Sequence, residues 1–371
     1  MADVTTLSGE VQSAESSPFP IPLWYGYLRA MRLACPLLAI AVLARPLGAQ
    51  WIIQSSGTAA EFRGLHAVND RVVWAAGRGG VVARTTDGGA TWTVDSIPGA
   101  SNLFLIAIRA LDQRRAWALG TAFSGASAAR IYRTDDGGKT WRLQYENTTT
   151  GVFFDGMAFW NANNGIAFGD PLAGHFTLLV TRDGGAHWTP VPAERSPPAQ
   201  EGEAAFAASG TAIALGGNRD AWIGTGGGPR ARVLYSADRG ATWRAAETPA
   251  AAGPARGIFG LAFRDRRHGV AVGGDYQNRE ASGGNLMLSN DGGRTWRLVT
   301  SPGLTGVQYG VSAAGRRTFV SVGPTGSAIS NDDGATWRRL TGPGLNTVSC
   351  AAAVCWAAGV EGRIARLRPV R

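Results

Sequence analysis

One eight-residue phrase recurs six times in this chain: Thr85–Trp92, Thr134–Trp141, Thr181–Trp188, Ser236–Trp243, Ser289–Trp296 and Ser330–Trp337. The shared pattern is [ST]-x-D-x-G-x-x-W, and its tryptophans lie 49, 47, 55, 53 and 41 residues apart. A unit of that length, made of short apolar runs separated by turn residues, cannot bury its own faces and must stack on its neighbours. The spacing points to an all-β ring with one four-stranded blade per repeat, a β-propeller.

The chemistry of the phrase is local. The carboxylates of Asp87, Asp136, Asp183, Asp238, Asp291 and Asp332 can accept from backbone N–H groups of their own turn. The glycine two residues on can take a positive φ without steric cost. Trp92, Trp141, Trp188, Trp243, Trp296 and Trp337 are expected to open the next strand and to bury their rings between neighbouring blades. These residues resemble the Asp-box, or BNR repeat, of sialidase-like propellers. The resemblance covers nearly all of the chain after Gln50 and implies a structural staple lying away from the central channel.

Each full repeat has the same internal order: an apolar strand, a polar turn, a W/V-A-x-G strand, a loop, a third strand, the box, and a fourth strand from Trp. In the first repeat the readings are Leu65–Val68, Val72–Gly77 and Val81–Thr85. After the sixth box come Asn346–Ala352, Cys355–Gly359 and Arg363–Leu367, three strands with no box behind them. The missing fourth strand is sought at the other end, where Gln50-Trp51-Ile52-Ile53-Gln54 reads like Thr140-Trp141-Arg142-Leu143-Gln144. The expectation is a seven-bladed ring closed by the N-terminal strand, which removes the exposed sheet edge of an open array.

Residues 33–44 form an apolar run of 12, too short to span a bilayer as a helix. With Met31-Arg32 before it and Leu47-Gly48-Ala49 after it, the run reads as a signal peptide starting at Met31 and cleaved after Ala49. Residues 1–49 are thus expected to be an extension plus export signal, and 50–371 a single propeller in the periplasm or outside the cell. Removing Cys35 leaves Cys350 and Cys355 on either side of a hairpin loop at Ala351–Val354. A disulfide would suit an oxidising compartment; two buried thiols in adjacent strands would fit the spacing equally.

The net charge is +9, and Lys139 is the single lysine among 36 basic residues. Such an arginine skew is what a GC-rich genome produces. The arginines are dispersed, with no basic stripe and no nucleic-acid module, so no nucleic-acid partner is expected. His66, His175, His187 and His268 fall in separate repeats without paired spacing, and no metal site is expected. No nucleotide-binding context surrounds any glycine-rich stretch, and no cofactor is expected.

In a propeller the loops between blades, and those joining second to third strands, open on the face opposite the boxes. Function is expected there. Leu143–Asp155, Thr189–Glu203 and Gly273–Asn285 read as long loops, whereas Gly77–Gly80 and Gly323–Ser327 are minimal. The candidate binding residues at the channel mouth are Arg63, Asp170, His175, Glu203, Arg256, Asp275 and Tyr276. Arg63, at the entry to the innermost strand of the first blade, is the leading one. An Asp beside Gly at a strand end also reads simply as a turn.

The phrases Phe62-Arg63-Gly64-Leu65, Val73-Trp74-Ala75-Ala76-Gly77-Arg78-Gly79-Gly80 and Arg84-Thr85-Thr86-Asp87-Gly88-Gly89 look like the photosystem II stability/assembly factor family. That resemblance extends from Gln50 to Leu367. It implies an exported, non-catalytic propeller whose arginine-bearing face holds a protein partner, typically a membrane protein; the propeller itself is expected to be a monomer. The long acidic loops of blades three to five depart from that family and leave the photosystem partner itself open. Sialidase-like chemistry would instead need an arginine triad, a Tyr–Glu pair and an acidic Asp. No such set assembles around Tyr276 or Tyr309, and no catalytic residue is assigned. A glycan-binding or glycoside-hydrolase propeller is the alternative, and it requires Asp170, Glu203 and Asp275 to converge beside an aromatic such as Tyr276 or Phe153.

Overall fold

The computed structural model describes residues 50–123, 128–147 and 149–368. The extension and export signal expected within residues 1–49 lie outside the described residues. The rest forms seven four-stranded antiparallel sheets, each a meander in chain order save the last. Blade 1 is Phe62–Ala67, Val73–Gly77, Val81–Thr85 and Thr93–Ser96. Blades 2 to 6 begin at Phe104, Phe154, Ile213, Arg256 and Gly310. Blade 7 takes Thr347–Ala351, Val354–Ala358 and Arg363–Leu367 from one end and Trp51–Ser55 from the other, with Trp51 opposite Leu367 and Ser55 opposite Arg363. The first strand of each blade touches the first strands of the blades before and after it, so the seven line the channel as a closed ring.

The box turns behave as small hydrogen-bonded cages. In the third blade Thr181 Oγ1 donates to Asp183 Oδ1 at 2.9 Å and accepts from the Gly185 N–H at 2.8 Å, while Asp183 Oδ1 accepts from His187 N at 3.0 Å. The same three bonds recur at Asp87, Asp136, Asp238, Asp291 and Asp332. Gly185 has φ +84°, and an added Cβ would stand 2.8 Å from Trp117 Nε1 of the preceding blade. Glycine is thus required twice over, by conformation and by the neighbour.

That neighbour explains how blades adhere. The tryptophan of the second strand reaches onto the turns of the next blade: Trp117 Nε1 donates to Gly184 O at 2.9 Å, Trp222 Nε1 to Gly292 O at 2.9 Å, and Trp74 Nε1 to Asp112 O at 3.1 Å. The box tryptophans meet these rings edge-on, Trp141 against Trp74 at 6.3 Å and Trp92 against Trp356 at 5.9 Å. Trp188, Trp296 and Trp337 are buried, while Trp92, Trp141 and Trp243 are half-buried at the rim.

Several boundaries differ from the sequence reading. The first strand of blade 1 begins at Phe62, three residues before Leu65, so Arg63 lies within the strand rather than before it. Each fourth strand starts one residue after the box tryptophan, because that ring still packs with the turn. Leu143–Asn147 belongs to a fourth strand, and Gly273–Asp275 to a second strand, so those two loops are shorter than expected. The last hairpin turns on residues 352–353 alone, since Ala351 pairs with Val354; Cys350 and Cys355 face each other across it and are bonded.

Candidate functional site

First strands in four blades carry a β-bulge at the same place. Register shifts fall between Phe62 and Gly64, Leu105 and Ala107, Phe154 and Gly156, and Ile258 and Gly260. The bulged residues are therefore Arg63, Ile106, Asp155 and Phe259. A bulge re-aims its extra side chain, and three of the four point into one cavity at the channel mouth. In three of the four, all but Ile106-Ala107, a glycine follows and lets inner strands crowd together: a Cβ on Gly260 would lie 3.1 Å from Gly310 Cα of the next blade.

The cavity has a volume of about 330 Å³. One wall is Phe123 and Phe153, whose rings are 5.2 Å apart, backed by Phe104 at 5.5 Å from Phe123. The opposite wall is Phe206, Phe259, Tyr276 and Tyr309, with Phe206 and Phe259 at 4.4 Å. Arg63 lies over Phe104 and Phe123, at 5.0 and 5.9 Å from their centroids. Its Nε donates to Glu61 at 3.1 Å and its Nη1 to Ala207 O at 3.0 Å. The leading candidate thus lines the cavity while already holding an acid and a carbonyl of its own.

Two acids share the cavity. Asp155 is 1% exposed and its Oδ2 has no hydrogen-bond partner. Asp170 sits in a second bulge, between Gly169 and Pro171, and its Oδ1 accepts from Ala205 N at 2.9 Å. Burial raises the Asp170 carboxyl from 3.8 to about 6. Burial, and then the charge of Asp170, drive Asp155 well above the usual carboxylate range. No arginine, lysine or histidine forms an ion pair with either acid among the described residues.

Of the candidates read from sequence, Arg63, Asp170 and Tyr276 come together here, and the others do not. Glu203 is buried away from the cavity, where it accepts from Arg232 Nε at 2.8 Å, Thr225 Oγ1 at 2.6 Å and Gln200 N at 2.9 Å. Its charge is spent on anchoring the long loop ahead of blade 4. Asp275 caps its own turn through Gln277 N and Asn278 N and takes Arg256 Nε at 2.9 Å. His175 belongs to a hairpin of blade 3, with Nδ1 3.4 Å from Ser196 O. The three acids of the glycan reading therefore serve three separate clusters. The acid that does join Asp170 is Asp155; of the aromatic walls, Phe153 and Tyr276 were read from the sequence, while Phe123, Phe206 and Phe259 were not. A signal existed: Arg63-Gly64, Asp155-Gly156, Phe259-Gly260 and Tyr309-Gly310 occupy equivalent register positions against their second strands, and in each the residue before glycine faces the cavity. Among the described residues no group of three or more His, Cys, Asp or Glu side chains is placed to hold a metal ion.

Comparison with known proteins agrees with the fold. The BNR/Asp-box repeat family matches residues 132–143, the second box. No curated protein matches the sequence significantly. Among solved structures, YCF48 bound to D1 peptide has a TM-score of 0.62 at 15% identity, covering 91% of this chain and 100% of that one. YCF48 from Cyanidioschyzon merolae gives 0.63 at 15%, covering 87% and 100%. The WD40 β-propeller domain of Doa1 gives 0.61 at 14%, covering 86% and 97%. Such distant likenesses speak to architecture alone. The chain is a seven-bladed β-propeller built on BNR/Asp-box repeats, and it shares its fold with the photosystem II assembly factor YCF48.

Proposed function

We propose that this protein is an exported, non-catalytic propeller that grips a segment of a protein partner in its channel mouth, as an assembly or scaffold factor of the cell envelope. One observation carries the reading: aromatic side chains from blades 2, 3, 5 and 6 and the loop before blade 4 converge on a single cavity on the face that bears the longest loops. Aromatic-rich, partly open cavities are the usual anchor points for inserted side chains. A propeller of the same fold, YCF48, has been solved with a D1 peptide bound. Export is supported by the apolar run at residues 33–44 and by the bond between Cys350 and Cys355.

The test is affinity capture from the organism's own envelope fraction with the tagged protein and with a Phe123→Ala, Tyr276→Ala variant. Both rings are more than a third exposed, so their loss should leave the fold intact. A membrane protein retained by the wild type and lost by the variant is the expected result. Equal retention by both would remove the channel mouth from the reading. No retained protein at all would overturn it in favour of a small-molecule or glycan site, and a glycan array would follow.

A further inference from the structure

The cavity combines two features that are each expensive alone. Buried carboxyl groups without a counter-ion destabilise a fold, and a half-open ring of aromatics exposes apolar surface. Together they are complementary to one chemistry. The faces of Phe and Tyr rings carry negative quadrupole charge and attract a cation that sits over them. Asp155 offers a buried oxygen with no partner, and Asp170 stands beside it. The molecule already uses this interaction at the rim, where the Arg63 guanidinium lies over Phe104 and Phe123.

Resting on the reading that the channel mouth holds a protein, we propose that the cavity receives a lysine side chain of that partner, with Asp155 and Asp170 as counter-ions and Phe123, Phe206 and Tyr276 packed along its methylenes. The lysine fits the geometry in two parts. Its ammonium carries three donors for acceptor-only oxygens, and its four-carbon stem matches aromatic walls that would otherwise face water. A volume of about 330 Å³ is at the small end of ligand cavities, suited to one side chain. The charged groups around the acids are Arg63, itself balanced by Glu61 at 3.1 Å, and Arg279 at the rim; Tyr276 and Tyr309 complete the titratable set. An arriving ammonium displaces protons that the buried acids retain, so capture strengthens as pH rises.

The experiment uses ligand-observed saturation-transfer NMR on the full chain. The probes are Nα-acetyl-lysine amide, its norleucine counterpart, which has the stem without the charge, and its arginine counterpart. Lysine should bind about tenfold better than norleucine at pH 8 and weaken by pH 5. An Asp155→Asn, Asp170→Asn variant should lose that preference while melting no lower than the wild type, since asparagine keeps the acceptor for Ala205 N and removes buried charge. Equal binding of norleucine, stronger binding of arginine, or an unchanged preference in the double variant would overturn the proposal; so would no lysine binding at all. The two readings fail separately. If the double variant still captures the wild-type partner, the partner reading survives and the lysine falls. If lysine binds but no partner is ever retained, the cavity chemistry stands without the scaffold role.

Discussion

At the scale of the residue, aspartate plays two opposite parts here, and pH separates them. In the boxes the Thr140 hydroxyl lowers Asp136 from 3.8 to about 2, and the His187 N–H does the same for Asp183. In the cavity, burial raises Asp170 to about 6 and pushes Asp155 well above the usual carboxylate range. A raised acid costs stability above its folded pKa, and the cost is relieved as pH falls from there to its unfolded value. A depressed acid contributes stability above its unfolded value that is lost as pH falls through its folded pKa. The melting temperature should therefore rise as pH drops from 7 towards about 4, then fall between about 4 and 2. In the Asp155→Asn, Asp170→Asn variant the first limb should be absent and the second intact; a wild-type melt that is flat between pH 7 and 4 would contradict the assignment. The box acids were legible in the sequence because every bond they make closes within five residues. Asp155 was not, because Phe-Asp-Gly also spells a turn. Its role depends on a bulge against Gly169 and on rings from distant blades.

At the scale of the element, the unit of cohesion is a clasp between blades, and it gives part of the arginine content a physical purpose. Across the strand from three of the four second-strand tryptophans stands an arginine: Arg84 opposite Trp74, Arg133 opposite Trp117, Arg366 opposite Trp356, whereas Trp222 faces Tyr235. The guanidinium lies 5.2 to 5.6 Å from the ring centroid and donates onward to a turn carbonyl of the next blade. Arg133 and Trp117 share one acceptor, Gly184 O, at 2.8 and 2.9 Å. Lysine could not stack, donate to Gly184 and bind Asp135 at once. Arg133→Lys should thus cost about 1–2 kcal/mol, read as a lower urea midpoint. Arg142→Lys, at an exposed side chain that also pairs with Asp135, should cost no more than about 0.5 kcal/mol. Equal costs would mean the clasp is ordinary surface charge. Strand order and box turns followed from the sequence because their periods repeat. This clasp did not: its two donors lie 16 residues apart in one blade and its acceptor lies in the next, a relation that only the ring brings together.

At the scale of the molecule, stability depends on how the ring is shut. A linear array of blades would fray at both ends, since each blade is held only by its neighbours. Here Trp51 closes it: the side chain is 5% exposed, its Nε1 donates to Ser327 Oγ of blade 6 at 2.6 Å, and its backbone N–H reaches Thr341 O at 3.2 Å. One residue thus ties the N-terminal strand both to its own sheet and to the blade before it. The Cys350–Cys355 bond lies in the same blade but spans only 5 residues, and the entropy of so short a loop is worth about 2 kcal/mol. Trp51→Ala removes a buried indole and should cost about 3–5 kcal/mol. Hydrogen exchange distinguishes closure from mere packing loss. If Trp51 is the closure, its removal accelerates exchange in 347–367 and in the strands of blade 6, while the first strands of blades 3 and 4, across the ring, stay protected. Reduction of the disulfide should perturb only the hairpin around 352–353. Exchange that rises evenly in every blade after Trp51→Ala would instead mean that the ring unfolds as one cooperative unit, with no privileged seam.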